Sequence, residues 1–247
     1  MRTHIRRLAV ATLCAAGLGL AVAQPAAAED FSREEIETII YDYLMDHPEV
    51  ILEAVNRLQE RQQAEEAERQ RQNLVGLRDD IVDGASTMVA GNPDGDVTLV
   101  EFFDYRCGYC KRVAPAILTL AEQDPGLRFA MMEFPILGEE SVYASRAALA
   151  AAKQDMYWEM HAAMIQFTGS FNEATIRAIA ADVGLDVDRL MIDMRSPEIQ
   201  SVIDRNYELA QALGINGTPA FIVGDTVVPG AVSLEALRDL VEAERNG

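Results

Sequence analysis

The sequence predicts an α/β fold: a small sheet whose second and third strands are separated by a block of helices, with a helical arm in front. Three observations predict it. Val97 to Phe103 is β-branched and aromatic, runs into a Cys-x-x-Cys turn and a helix, and is followed by a second strand-like run, Leu127 to Phe134. Residues 139–213 carry only helical periodicity. A hairpin pattern then spans Thr218 to Val228, turning at Gly224-Asp225. With 247 residues, 49% of them hydrophobic, the chain can bury one compact core and still carry an appendage.

The first segment reads as a targeting signal. Arg2, Arg6 and Arg7 are followed by an apolar run from Leu8 to Val22 and by Ala26-Ala27-Ala28, a small-residue cleavage point. A membrane anchor is the alternative, but Gln24 and Pro25 end the run before a full bilayer span. Cleavage after residue 28 would remove three arginines and no acid. Against 40 acidic residues 18 basic ones would remain, a net charge of −22 rather than −19. That surface repels nucleic acid and anionic lipid. Export would place the protein in an oxidising compartment, here read as the periplasm.

Taken in order, Ile36, Ile39, Ile40, Tyr43 and Leu44 form one apolar stripe. Asp46-His47-Pro48 breaks the pattern, and Val50, Ile51, Ala54, Val55 and Leu58 form a second. These two short helices pack either on the main domain or on further copies of themselves; the second reading is preferred. Gln59 to Asn73 has no large apolar residue but consists of helix formers, with Arg61/Glu65 and Glu65/Arg69 spaced as pairs, so it reads as a polar helix or linker. Residues 29–73 are therefore an oligomerisation arm and linker, and residues 74–247 one domain. Leu74 to Met88 returns to apolar periodicity, and Gly91 to Asp96 is a turn cluster. Pro115 predicts a kink in the helix after the cysteines. In the helical block Asn172, Asp186 and Ser196-Pro197 read as starts, Gly184 and Gly214 as stops. Ser233 to Glu244 closes the chain as a helix.

The chemistry centres on Cys107 and Cys110, since Cys14 falls in the signal segment. A disulfide exchanger needs a thiolate nucleophile and a second thiol that releases a stuck mixed disulfide. Cys107 sits where a strand meets a helix N-terminus, which favours the thiolate; Cys110, one turn on, would be buried. The alternatives are a structural disulfide or half a zinc site. A bridge closing so small a ring gains little loop entropy, and only His47 and His161 remain as further histidine ligands. Glu101, six residues before Cys107, is read as a buried carboxyl that carries a proton during resolution, or else as an edge glutamate in water. Thr218-Pro219 opens a strand; a cis bond there would free the Thr218 backbone to pair with a substrate. Met156, Met160 and Met164, with His161 between them, form either a soft-metal face for Cu(I) or, the preferred reading, adaptable core.

Glu101 to Cys110, the helical block and Gly217-Thr218-Pro219 together resemble the DsbA-like thioredoxin-fold family of periplasmic disulfide exchangers. The resemblance covers residues 74–247 and implies a thioredoxin fold with a helical domain inserted at about 139–213. It implies that Cys107 attacks, Cys110 resolves and forms the redox disulfide with it, and Glu101 is the buried acid. Thr218, the cis-proline Pro219, Gly108 and Tyr109 would contact substrate. Gly108 and Tyr109 stand where strong oxidases of the family have proline and histidine, so a milder couple is implied. Cys-Gly-Tyr-Cys with threonine before the proline is similar to the DsbC-like isomerases. Tyr41 to Ile51 resembles the oligomerising arm of ScsC-type proteins, which are linked to copper stress and often trimeric.

The expectation is an exported disulfide isomerase or reductase without cofactor or resident metal. Its partners would be misfolded or reduced exported proteins, a membrane thiol-disulfide electron donor, and copies of itself joined through residues 31–58, with no nucleic acid among them. The rival readings are a monomeric dithiol oxidase and a Cu(I)-binding protein that uses the two thiols.

Overall fold

The computed structural model describes residues 31–84 and 87–247, so the expected signal segment 1–28 lies outside the described residues. The chain forms two compact units, divided between Arg57 and Leu58.

The first unit holds helix α1 (Arg33–Asp46) and the opening of α2 (Glu49–Val82). Helix α1 starts at a capping box. Ser32 Oγ accepts the Glu35 amide, and the Glu35 carboxylate accepts the Ser32 amide at 2.9 Å. It stops at Asp46, and Pro48 stands immediately before α2, as the break in the apolar pattern predicts. No residue of α1 is buried. Its stripe of Ile36, Ile39, Ile40 and Tyr43 is exposed, as are Ile51, Leu52, Val55 and Leu58 of α2.

The second helix of the arm is not short. It runs unbroken for 34 residues, through the polar stretch 59–73. Good helix formers and local ion pairs sustain it: Arg57 with Glu53 at 2.6 Å, Arg71 with Glu68 at 3.0 Å, and Arg69 with Glu66. The expected pairs at Glu65 do not form: Arg69 turns to Glu66 instead, and Arg61 makes no ion pair among the described residues.

The second unit is built on a five-stranded sheet in the order β1-β3-β2-β4-β5. The strands are β1 (Met88–Gly91), β2 (Val97–Phe103), β3 (Leu127–Glu133), β4 (Ala220–Val223) and β5 (Thr226–Pro229). Between β2 and β3 runs α3 (Gly108–Gln123), continuous through Pro115, and the two strands pair in parallel as the strand-helix-strand order requires. Strand β1 is absent from the sequence reading. It has four residues, only one of them buried, and becomes a strand only by pairing antiparallel with β3 at the sheet edge.

The helical block comprises α4 (Glu139–Ala152), α5 (Tyr157–Gln166), α6 (Glu173–Asp182), α7 (Val187–Asp193) and α8 (Pro197–Ala212); α9 (Leu234–Asn246) closes the chain. Asn172 and Asp186 cap α6 and α7 by accepting the amides of Thr175 and Arg189. Gly184 and Gly214 have φ of +89° and +68°, so the helices before them end where only glycine is unstrained.

The alternation of side chains along β2 and β3 divides the core in two. Leu99, Phe103, Phe129 and Met131 face α3, α9 and the helical block. Val100, Phe102, Ala130 and Met132 face the other way, onto Leu74 and Ile81 of α2, Leu209 of α8 and its C-cap Leu213. Gln70 and Asn73 tie the same stretch of α2 to the α8 terminus, donating to the Leu213 and Ala212 carbonyls at 2.7 Å each. The helical stretch 70–82 thus belongs to the second unit and fills its core with Leu74 and Ile81.

Candidate active site

Strand β2 delivers the chain to the site through a turn that Asp104 organises. Asp104 is fully buried. Its carboxylate accepts the Arg106 amide at 2.7 Å, the Ser141 hydroxyl at 2.8 Å and the Leu137 amide at 3.0 Å. Its carbonyl accepts the Cys107 amide at 3.0 Å. Four bonds fix one residue, and with it the point at which α3 starts.

Cys107 is the N-cap of α3. Its Sγ accepts the Cys110 amide at 3.4 Å and donates to the Thr218 carbonyl at 3.2 Å. The sulfur thus lies at the N-terminal end of the helix, between the Cys110 amide and the Thr218 carbonyl. The Thr218-Pro219 peptide is cis, and the Pro219 carbonyl accepts the Gly230 amide at 2.8 Å. A cleft of about 260 Å³ opens beside this loop, lined by Gln70, Asn216, Gly217, Thr218, Val227 and Gly230. The two cysteines are present as thiols. Cys107 is 6% exposed and Cys110 not at all. Burial pushes the Cys110 thiol far above its ordinary range, so it needs a base before it can attack.

Glu101, whose charge acts on the Cys110 thiol, is the candidate for that base. It sits on the α3 face of β2 and is 4% exposed, and burial raises its carboxyl to about 8, with Glu133 adding to the effect. It is therefore buried rather than an edge glutamate in water.

Between the cysteines, Gly108 leaves open space where a Cβ would stand, and Tyr109 is 59% exposed. The Arg112 guanidinium lies 4.1 Å from the Tyr109 ring centroid. Lys111 points the other way, bonding the Ile165 and Phe167 carbonyls at the C-terminal end of α5, and burial lowers its ammonium. All seven sequence-predicted site residues (Glu101, Cys107, Gly108, Tyr109, Cys110, Thr218 and Pro219) lie around the N-terminal end of α3.

The sequence reading missed what lies beneath them. Glu133, at the end of β3, is fully buried, and its Oε1 accepts the hydroxyls of Tyr105 at 3.0 Å and Tyr157 at 2.9 Å. The Tyr105 hydroxyl also meets His161 Nδ1 at 3.1 Å. Burial raises Glu133 to about 8 and holds His161 at about 3, so the imidazole is neutral. The one available signal was a glutamate closing a strand that is apolar apart from Arg128. Met160 and Met164 are fully buried and Met156 packs against them, so the methionine stripe is core. Among the described residues no group of three or more His, Cys, Asp or Glu is placed to hold a metal ion.

Comparison with known proteins gives two family matches. The DSBA-like thioredoxin domain matches residues 98–242, and the copper resistance protein ScsC N-terminal domain matches residues 33–65. A thioredoxin-like oxidoreductase from Silicibacter pomeroyi is 45% identical at a TM-score of 0.66, covering 69% of this chain and 98% of that one. ScsC of Proteus mirabilis in a transitional conformation is 30% identical with a TM-score of 0.66, over 86% of this chain and 96% of that one. The thiol-disulfide exchange protein alpha-DsbA2 of Wolbachia pipientis is 29% identical with a TM-score of 0.67, over 72% and 96%. Among curated proteins, a Na(+)/H(+) antiporter NhaA of Herminiimonas arsenicoxydans is 29% identical over 67% of this chain. The chain spans only 27% of that relative's length. Among the described residues no helix is long and apolar enough to cross a membrane.

Proposed function

The chain belongs to the DsbA-like thioredoxin-domain family, and from that premise we propose that it is an exported, periplasmic thiol-disulfide oxidoreductase that corrects wrong protein disulfides. The observation that carries the reading is the Cys107 sulfur, held between the α3 N-terminus and the Thr218 carbonyl, with Cys110 and Glu101 buried beneath it.

In the first step the Cys107 thiolate attacks one sulfur of a substrate disulfide. The Cys107–substrate bond forms, the substrate S–S bond breaks, and the second substrate sulfur leaves as a thiolate. That thiolate can then attack elsewhere in the substrate and expel Cys107, which rearranges disulfides with no net redox change. Alternatively Cys110 gives its proton to Glu101 and attacks Cys107. The Cys107–Cys110 bond forms, the substrate leaves reduced by two electrons, and a membrane thiol-disulfide donor must reduce the pair again. Misfolded or reduced exported proteins are the substrates in this reading.

The arm supports correction over simple oxidation. Its apolar stripes on α1 and early α2 are exposed, and the match to the ScsC N-terminal domain falls on the same residues. Residues 31–58 would join copies of the chain through these stripes, so that several exchange sites face one substrate.

Trapping tests the exchange chemistry. The Cys110→Ser variant, mixed with scrambled ribonuclease, is expected to accumulate a dithiothreitol-sensitive adduct by mass spectrometry, and Cys107→Ser none. Equal adducts on both variants, or none on Cys110→Ser, would contradict it.

A further inference from the structure

The polar cluster behind the cysteines is larger than exchange at two thiols and one acid requires. Glu101 and Glu133 lie on neighbouring parallel strands. Glu101 pairs with Met131, and Glu133 with Phe103, so the two carboxyls share one face of the sheet, offset by two residues. That face is otherwise apolar: β4 and α9 bring Phe221, Val223, Leu237 and Val241 to it. In such surroundings two carboxyls cannot both ionise independently.

Their hydrogen bonds decide which ionises first. Glu133 Oε1 accepts two tyrosine hydroxyls, from the β2–α3 turn and from α5. Glu101 accepts no side-chain or backbone donor among the described residues. The Tyr105 proton is committed to Glu133, so the contact with His161 is satisfied when neutral His161 donates from Nδ1. Asn206 of α8 donates to the Glu133 carbonyl and fixes the strand end. Glu133 Oε2 and the Ser145 Oγ of α4 have no partner, although both are buried. The remaining charged groups near the cluster are Asp104, saturated by its own donors, and Lys111, held at the end of α5.

We propose that Glu133, once ionised and bonded by Tyr105 and Tyr157, is a positioning residue for resolution: it strengthens Glu101 as the base that takes the proton of Cys110. This rests on the exchange reading above. In that step the Cys110 proton passes to Glu101, and the Cys110 sulfur forms the bond to Cys107 while the substrate sulfur leaves. Glu133 touches neither sulfur. It acts through Glu101, whose raised proton affinity burial begins and Glu133 increases.

The test separates the two steps of exchange. The reduced full chain is mixed with oxidised glutathione at pH 5 to 9, acid-quenched, and followed by mass spectrometry as Cys107 is first glutathionylated and the mixed disulfide then resolves. Glu133→Gln keeps the side chain's shape and still accepts the tyrosine hydroxyls. It is expected to leave the glutathionylation rate unchanged, to move the midpoint of the resolution profile down by about one pH unit, and to lower its plateau several-fold. Tyr157→Phe moves the midpoint the same way by less. Glu101→Gln removes the pH step from resolution. A Glu133→Gln profile that overlays the wild type, or that falls equally in both steps at an unchanged midpoint, overturns the role of Glu133 and leaves the exchange reading standing. A wild-type chain that stops at the mixed disulfide overturns both.

Discussion

Two carboxyls buried in one apolar face leave a signature in the stability of the protein as well as in its chemistry. Burial raises Glu101 and Glu133 to about 8 from an ordinary 4.5, so the folded chain holds protons that the unfolded chain releases. The stability they contribute is full below about 4.5 and is lost as pH rises toward and through 8. The expected loss is up to about 1.4 kcal/mol per pH unit for each group. Urea titrations between pH 6 and 8 should therefore show the wild type weakening with pH. Glu133→Gln should show a shallower slope, and a slope equal to wild type would contradict the raised proton affinity of Glu133. His161 acts in the opposite sense: held at about 3, it costs stability only as pH falls below its unfolded value of 6.5. The cysteines, Glu101 and Thr218-Pro219 were legible as residues because short spacings mark them. Glu133 was not, because its partners lie 28 and 24 residues away and meet it only through the fold. Asp104 belongs with it: its hold on the turn depends on Leu137 and Ser141, which no spacing announces.

Among the elements, α2 departs most from its sequence signal. Periodicity marks apolar faces, and 59–73 has none, so the sequence leaves helix and linker equally open. The structure makes it helix because helix formers and local ion pairs suffice when both ends are anchored in helix. Gly76 lies inside this helix, exposed, with no atom within 4 Å of the place a Cβ would take. Gly76→Ala should therefore stabilise the chain by about 0.5–1 kcal/mol in thermal or urea unfolding. A loss of stability would mean that α2 needs its glycine. The strands show the converse. Strands β2, β3 and the β4–β5 hairpin were plain because their runs are buried or meet at Gly224-Asp225, whereas β1 owes its existence to its partner β3. The helical block was legible nearly to the residue because asparagine, aspartate, serine-proline and glycine punctuate it.

For the whole molecule, the arm and the exchange unit are separate compact units, and disulfide correction is proposed to need both. The division after Arg57 sets where they can be cut. A chain beginning at Leu58 keeps Gln70, Asn73 and Leu74, which bind the end of α8 or fill the core, while a start beyond Gln70 would strip contacts from the exchange unit itself. Within the arm, Ile40→Glu places a charge on the exposed stripe of α1, where it buries nothing in a single chain. It should leave the unfolding temperature of the exchange unit unchanged and lower the molar mass seen by light scattering. The measurement closest to the central claim compares residues 29–247 with residues 58–247 for molar mass and for reactivation of scrambled ribonuclease. The account predicts a multimer that restores ribonuclease activity, against a monomer that oxidises dithiols but does not restore it. Two monomers, or two chains that reactivate ribonuclease equally well, would contradict it.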